Sequence, residues 1–154
     1  MNTKIKVIFL DVDGVLNSSQ DHFSIGLKTD IHLERLKRII DATGAKIVLS
    51  SSWRICFDPK KDQMSRILNN KLNSIGAPIM DMTPIIREPN KVRGDEIRMW
   101  LQDHPDVDAF IILDDDSDMA EYTSTHLIKT DVNIGLQDSD VEKAINMLGR
   151  VSNE

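Results

Sequence analysis

Two aspartates one residue apart, Asp11 and Asp13, stand where an apolar run ends and Gly14 follows. A strand points alternate side chains the same way, so both carboxylates can enter one small volume beyond its carboxyl end. Acids that close suit a divalent cation, or a division of labour between a nucleophile and a proton donor. A second group, Asp114-Asp115-Asp116-Ser117-Asp118, follows the apolar run Ala109 to Leu113. Carboxylates so dense at a buried strand end repel one another unless a cation or basic partner neutralises them; helix capping by Asp116 or Asp118 is the competing use. A third feature, Ser50-Ser51-Ser52-Trp53-Arg54, follows Lys46 to Leu49. Its hydroxyls and backbone N–H groups could hold a phosphate oxygen, or serve only as turn chemistry.

These groups act together only if the fold brings three strand ends side by side. Lys4 to Leu10, Lys46 to Leu49 and Ala109 to Leu113 are apolar without polar alternation, the pattern of strands covered on both faces. His126 to Lys129 reads as a last short strand, and Pro78 to Ile86 is extended but ambiguous. Ile31, Leu33, Leu36, Ile39 and Ile40 recur at mostly helical spacing after a cap at Thr29 or Asp30, until Gly44 stops the helix. A second helix is predicted over about Lys61 to Ile75 and a third over about Gly94 to Asp103, with Ile97, Trp100 and Leu101 inward. A capping box, Ser139 to Glu142, opens a fourth. Strands alternating with helices predict an α/β fold: a three-layer, Rossmann-like parallel sheet with helices on both faces, binding its ligand at the strand carboxyl ends.

The chain's 154 residues suit a single domain spanning 1–154. Its 40% hydrophobic and 29% charged residues match a soluble globular protein. No stretch is apolar enough to cross a membrane, and Met1-Asn2-Thr3 lead straight into a strand without a signal-peptide core, so a cytoplasmic location is expected. Cys56 is the only cysteine, which excludes an internal disulfide and a cysteine-type zinc site. Net charge is −6, and residues 99–154 hold 13 acidic against 3 basic groups, a poor balance for non-specific nucleic-acid binding. Residues 54–98 are mildly basic, with 9 basic and 6 acidic groups; gathered at one rim, Arg54, Lys60, Lys61, Arg87, Lys91, Arg93 and Arg98 could attract a phosphorylated ligand, the alternative being scattered solvated side chains.

The order of these features, Asp-x-Asp after the first strand, serine after the second, a basic residue opening a later helix and paired aspartates after a later strand, resembles the haloacid dehalogenase superfamily. The resemblance is most specific to the haloacid dehalogenase-like domain of Swiss Army knife RNA-repair proteins. It is carried by Phe9 to Asn17, Ser51-Ser52-Trp53-Arg54, Thr83-Pro84, Arg93 to Ile97, Ile112 to Asp116, Thr130-Asp131 and Gly135-Leu136. It implies a phosphatase that hydrolyses a phosphomonoester through an aspartyl-phosphate, with Asp11 as nucleophile and Asp13 as proton donor and then acceptor. It further implies Mg²⁺ held by Asp11, the backbone carbonyl of Asp13 and Asp115, with Asp114 or Asp118 close behind. Ser50 and Ser51 compete for the phosphoryl oxygens, as do Lys91 and Arg93 for the cationic position. Trp53 is a wall of the site or a stacking platform for the substrate, and Arg54 is a grip on the substrate or an exposed structural residue.

Only 36 residues separate Asp13 from Ser50 and 41 separate Ser51 from Arg93. The expected helices consume much of both, so an essentially capless core with an open site is predicted, partly covered by the loop Asn17 to Lys28 and the segment Ile55 to Lys60. Such a site admits a phosphorylated small molecule or a phosphorylated nucleic-acid end, the latter making a polynucleotide end-processing phosphatase. A different class, the non-catalytic phospho-switch of receiver type, also sets acids, a hydroxyl and a basic residue on a parallel sheet. Receivers phosphorylate an aspartate after a central strand and place the lysine last, an order this chain does not follow.

Overall fold

Val7, Ile8, Phe9 and Leu10 are all fully buried, which a strand achieves only when neighbours and layers enclose it on every side. The computed structural model, which describes residues 4–24 and 30–151, shows how. Five strands, β1 (Ile5–Leu10), β2 (Lys46–Leu49), β3 (Ile79–Met82), β4 (Val107–Asp114) and β5 (Leu127–Lys129), form one sheet in the order β3-β2-β1-β4-β5. Every pairing is parallel, and β1 lies at the centre.

The helices α1 (Ile31–Thr43), α2 (Gln63–Ser74), α3 (Arg93–Gln102) and α4 (Asp138–Leu148) divide unequally between the faces. Ile8 and Leu10 join Leu36, Leu68 and Val141 in the core under α1, α2 and α4. Val7 and Phe9, pointing the other way, meet Ile97 and Trp100 of α3. There the ring of Phe9 packs edge-to-face on Trp100 at 5.4 Å and on Phe110 at 5.6 Å, a geometry that aromatic quadrupoles favour. The expected three-layer parallel sheet is thus the observed one, and among the described residues neither interval around Ser50 and Ser51 folds into a cap.

Boundaries moved where a local bond outweighed the pattern. The helix α4 begins at Asp138, before the expected box, because the Gln137 N–H is satisfied by Asp140 Oδ2 at 2.9 Å. Asp62 caps α2 by accepting from the Ser65 N–H at 2.8 Å, so the helix starts at Gln63 rather than Lys61. The ambiguous segment Pro78 to Ile86 contains the edge strand β3. Thr29 lies outside the described residues, as does part of the loop Asn17 to Lys28; Asp30 precedes α1 and pairs with Lys71 at 3.1 Å. No helix among the described residues is long and apolar enough to cross a membrane.

Chain order sets the location of chemistry. From β1 the chain steps outward through β2 to β3, then returns to the other side of β1 for β4 and β5. Strand order therefore reverses between β1 and β4, and the crevice at their carboxyl ends is where such sheets bind ligands.

Candidate active site

Ladder hydrogen bonds continue past the strand ends and fix the residues beyond them. Asp11 N–H donates to Leu113 O at 3.0 Å, and Thr130 N–H to Asp114 O at 2.9 Å. After Asp11 the chain turns sharply, with Val15 and Leu16 N–H groups both directed at the Val12 carbonyl. Gly14 makes this turn at φ +85°, and a Cβ there would stand 2.7 Å from Asp115 Cγ. Hydrogen in place of a side chain thus serves both the turn and the approach of Asp115. The Thr130 hydroxyl donates to Gly14 O at 2.6 Å and holds the turn from beneath.

Asp11, Asp114 and Asp115 each bring a carboxylate oxygen within 4.8 Å of the others. Burial pushes the Asp11 carboxyl up to about 6, against hydrogen bonds from the Val12 N–H and the Ser51 hydroxyl that pull it down. Burial and then the charge of Asp11 push Asp114 up to about 9. Crowded anions at a low-dielectric strand end are an oxygen-only donor set of the kind that hard divalent cations take. Asp114, expected with Asp118 as an alternative just behind the cation's ligands, belongs to the trio; Asp116 and Asp118 line the cleft outside it.

Asp13 turns its carboxylate away from the trio. Its Oδ1 accepts from Asn17 Nδ2 at 2.9 Å and its Oδ2 from Trp53 Nε1 at 3.0 Å. The first Asp of the pair thus faces the other acids while the second faces donors.

A cleft of about 270 Å³ opens over these groups, walled by Asp11, Asp13, Ser51, Ser52, Arg93 and Asp115 among others. Ser51 stands beside Asp11, whereas Ser50 is fully buried with an unpartnered hydroxyl and does not line the cleft. Arg93, the first residue of α3, reaches Ser52 Oγ at 3.4 Å and Glu96 at 3.3 Å. Gly94 makes that placement possible, because a Cβ would lie 2.2 Å from the Met119 carbonyl carbon and its N–H donates to Asp118 O at 3.0 Å. The start of α3 is thereby seated on the loop that follows the acidic cluster. Lys91 is exposed and outside this cleft, on the wall of a neighbouring one of about 260 Å³.

Arg54 requires correction. It is 7% exposed, not a surface residue, and all five guanidinium N–H groups are used. Nε donates to Thr83 O, Nη1 to Ser50 O and Ser51 O, and Nη2 to Pro84 O and to Glu96 Oε1 at 2.7 Å. No N–H is left for a substrate; the residue instead shapes the serine loop and ties it to α3. Sequence reasoning could not see this because Glu96 is remote in the chain. Asn17, although it stands inside the Phe9 to Asn17 motif, carries no role in the sequence reading.

Comparison with known proteins agrees with this architecture. No curated protein matches the chain. A family model described as the HAD domain in Swiss Army Knife RNA repair proteins matches residues 7–141, from β1 into α4. Such membership supports a hydrolase of phosphatase type. With most of its length matched and the motif acids meeting at the strand ends, the chain belongs to this HAD-domain family.

Proposed function

We propose that the protein is a Mg²⁺-dependent phosphatase that hydrolyses a phosphomonoester through a phosphoryl group carried on Asp11. The observation that carries this reading is the meeting of Asp11, Asp114 and Asp115 at the switch point, beneath a cleft that also holds Ser51 and Arg93. The residues fit a divalent cation: all donors are oxygen, burial and repulsion oppose the charges of Asp11 and Asp114, and Gly14 clears the space Asp115 occupies. Asp11, Asp114, Asp115 and the backbone carbonyl of Asp13 would hold it. When bound, the cation offsets negative charge, so that an ionised nucleophile and a phosphate can share the site.

In this reading the Asp11 carboxylate attacks phosphorus and forms a new P–O bond. The bond to the ester oxygen breaks, and Asp13 gives that oxygen a proton. Asp13, now a carboxylate, takes a proton from water as the water oxygen attacks phosphorus. The bond to Asp11 breaks, inorganic phosphate leaves and the nucleophile is restored. Ser51, Ser52 and Arg93 bear on the transferring oxygens, where fixed donors and positive charge stabilise the transition state.

The family's tie to RNA repair and a cleft without a cap domain among the described residues favour a phosphorylated nucleic-acid end as the first substrate to try. A cytoplasmic setting suits the reading, since the exposed thiol of Cys56 would stay reduced there. The test is turnover of a generic phosphomonoester with Mg²⁺, in the wild type and in Asp11→Asn. Loss of at least about 10³-fold in the variant is expected, and equal rates would end the mechanism. A long-lived phospho-aspartate without turnover would instead mark a phospho-switch. Phosphorylated oligonucleotides left intact while small esters turn over would remove the end-processing variant.

A further inference from the structure

Asp13 is the one acid of the site whose two oxygens both meet N–H donors on neutral side chains. Neither donor is free to wander. Asn17 is fully buried; its Oδ1 accepts from the Gly14 N–H at 2.9 Å, and its Nδ2 also donates to Phe23 O at 3.0 Å. Those bonds fix which end of the amide faces Asp13. Trp53 is tethered by its own N–H to Ser51 Oγ at 3.1 Å, its ring packs against the core, and the following Arg54 is fully bonded.

Resting on the phosphatase reading above, we infer that Trp53 and Asn17 are positioning residues that clamp Asp13 for proton transfer to the leaving oxygen. The indole nitrogen and the amide nitrogen donate and do not accept. A proton on the Asp13 carboxyl therefore cannot point at either one and is left to the lone pairs that remain, on a residue that lines the cleft. When the P–O bond to the ester oxygen breaks, that proton moves to the departing oxygen. The two N–H groups then stabilise the carboxylate left behind. Trp53 sits on the same turn as Ser51 and Ser52, so one loop grips the phosphoryl group and aims the acid that releases its partner.

The test separates this role from packing by varying the leaving group. Trp53→Phe keeps a ring and removes the donor. Its kcat/KM is measured with Mg²⁺ on p-nitrophenyl phosphate, whose phenolate departs without a proton, and on glycerol phosphate, whose alkoxide needs one. This parameter reports steps through the first P–O cleavage, so later hydrolysis does not mask it. The alkyl ester is expected to lose about tenfold more than the aryl ester. Equal losses with both esters, or none, would overturn the inference.

A second measurement needs no turnover and leaves Trp53 in place. In a ¹H–¹⁵N spectrum, Asp13→Ala should move the Trp53 indole resonance, while that of Trp100, which donates to Asp81 at 2.8 Å, holds still and reports an intact fold. A stationary Trp53 resonance would overturn the clamp. A wild type inert towards both esters would sink the phosphatase reading instead, with the resonance still deciding whether Asp13 is held. If Trp53→Phe does not fold, the spectrum alone decides.

Discussion

The bodies of β1 and β4 and the ends of the same strands are opposite kinds of structure, one residue apart. Along the bodies, Val7 to Leu10 pair with Phe110 to Leu113, and all but Phe110 are fully buried. Such burial contributes roughly 25 cal/mol per Å² of apolar surface. One step further, Asp11 and Asp114 are carboxylates turned towards each other and pushed above their ordinary range by burial and mutual charge. The contrast shows where the fold gains stability and where it gives some up to hold a reactive arrangement.

The widest gap should open in the strand body. Phe9→Ala removes a ring held by Trp100 and Phe110 and is expected to lower stability by about 3–5 kcal/mol, read by urea unfolding. A loss below 1 kcal/mol would mean that the body is not the stabilising half. At the ends, the largest functional effect outside the acids should come from Arg93→Ala, a drop of about 10²-fold in kcat/KM measured on a phosphomonoester with Mg²⁺.

The acids themselves should show in a pH profile. Folded-state carboxyls held above their ordinary value keep protons that the unfolded chain has released. In chelator, stability should therefore decline as pH rises from the ordinary carboxylate range towards the folded values, about 6 for Asp11 and about 9 for Asp114. Added Mg²⁺ should raise Tm more at about pH 8 than at about pH 5, because cation and proton compete for the same oxygens. A flat chelator profile would remove the strain assigned to the strand ends. The smallest effect is reserved for Lys91→Ala. An exposed cation outside the cleft should change kcat/KM by less than about twofold, and a loss matching that of Arg93→Ala would exchange their roles.

The same division explains what could be read from the chain. Strand bodies declare themselves locally: continuous apolar residues in Ile8 to Leu10 and Ala109 to Leu113 required cover on both faces, and both faces are covered. The acids at their ends were equally visible, since dense carboxylates after an apolar run have few structural uses. What local pattern could not carry was pairing across distance. Arg54 reads from sequence as a substrate grip or an exposed residue because its partners Thr83, Pro84 and Glu96 lie on other elements. Trp53 reads from sequence as a wall or a stacking platform because nothing in its neighbours announces an indole donating to Asp13. The edge strand β3 was blurred by the exposed Met80 and Asp81, which an outer strand tolerates and a central one does not.

The close fit of Asp115 against Gly14 spans the seam between β1 and a strand made about a hundred residues later. A nascent chain that has completed β1, α1 and β2 holds Asp11 but neither Asp114 nor Asp115. The trio is complete only once β4 pairs with β1 and brings Asp114 and Asp115 to the end of β1. On the proposed reading, hydrolysis would report that the centre of the sheet has closed, and half-made chains would be silent.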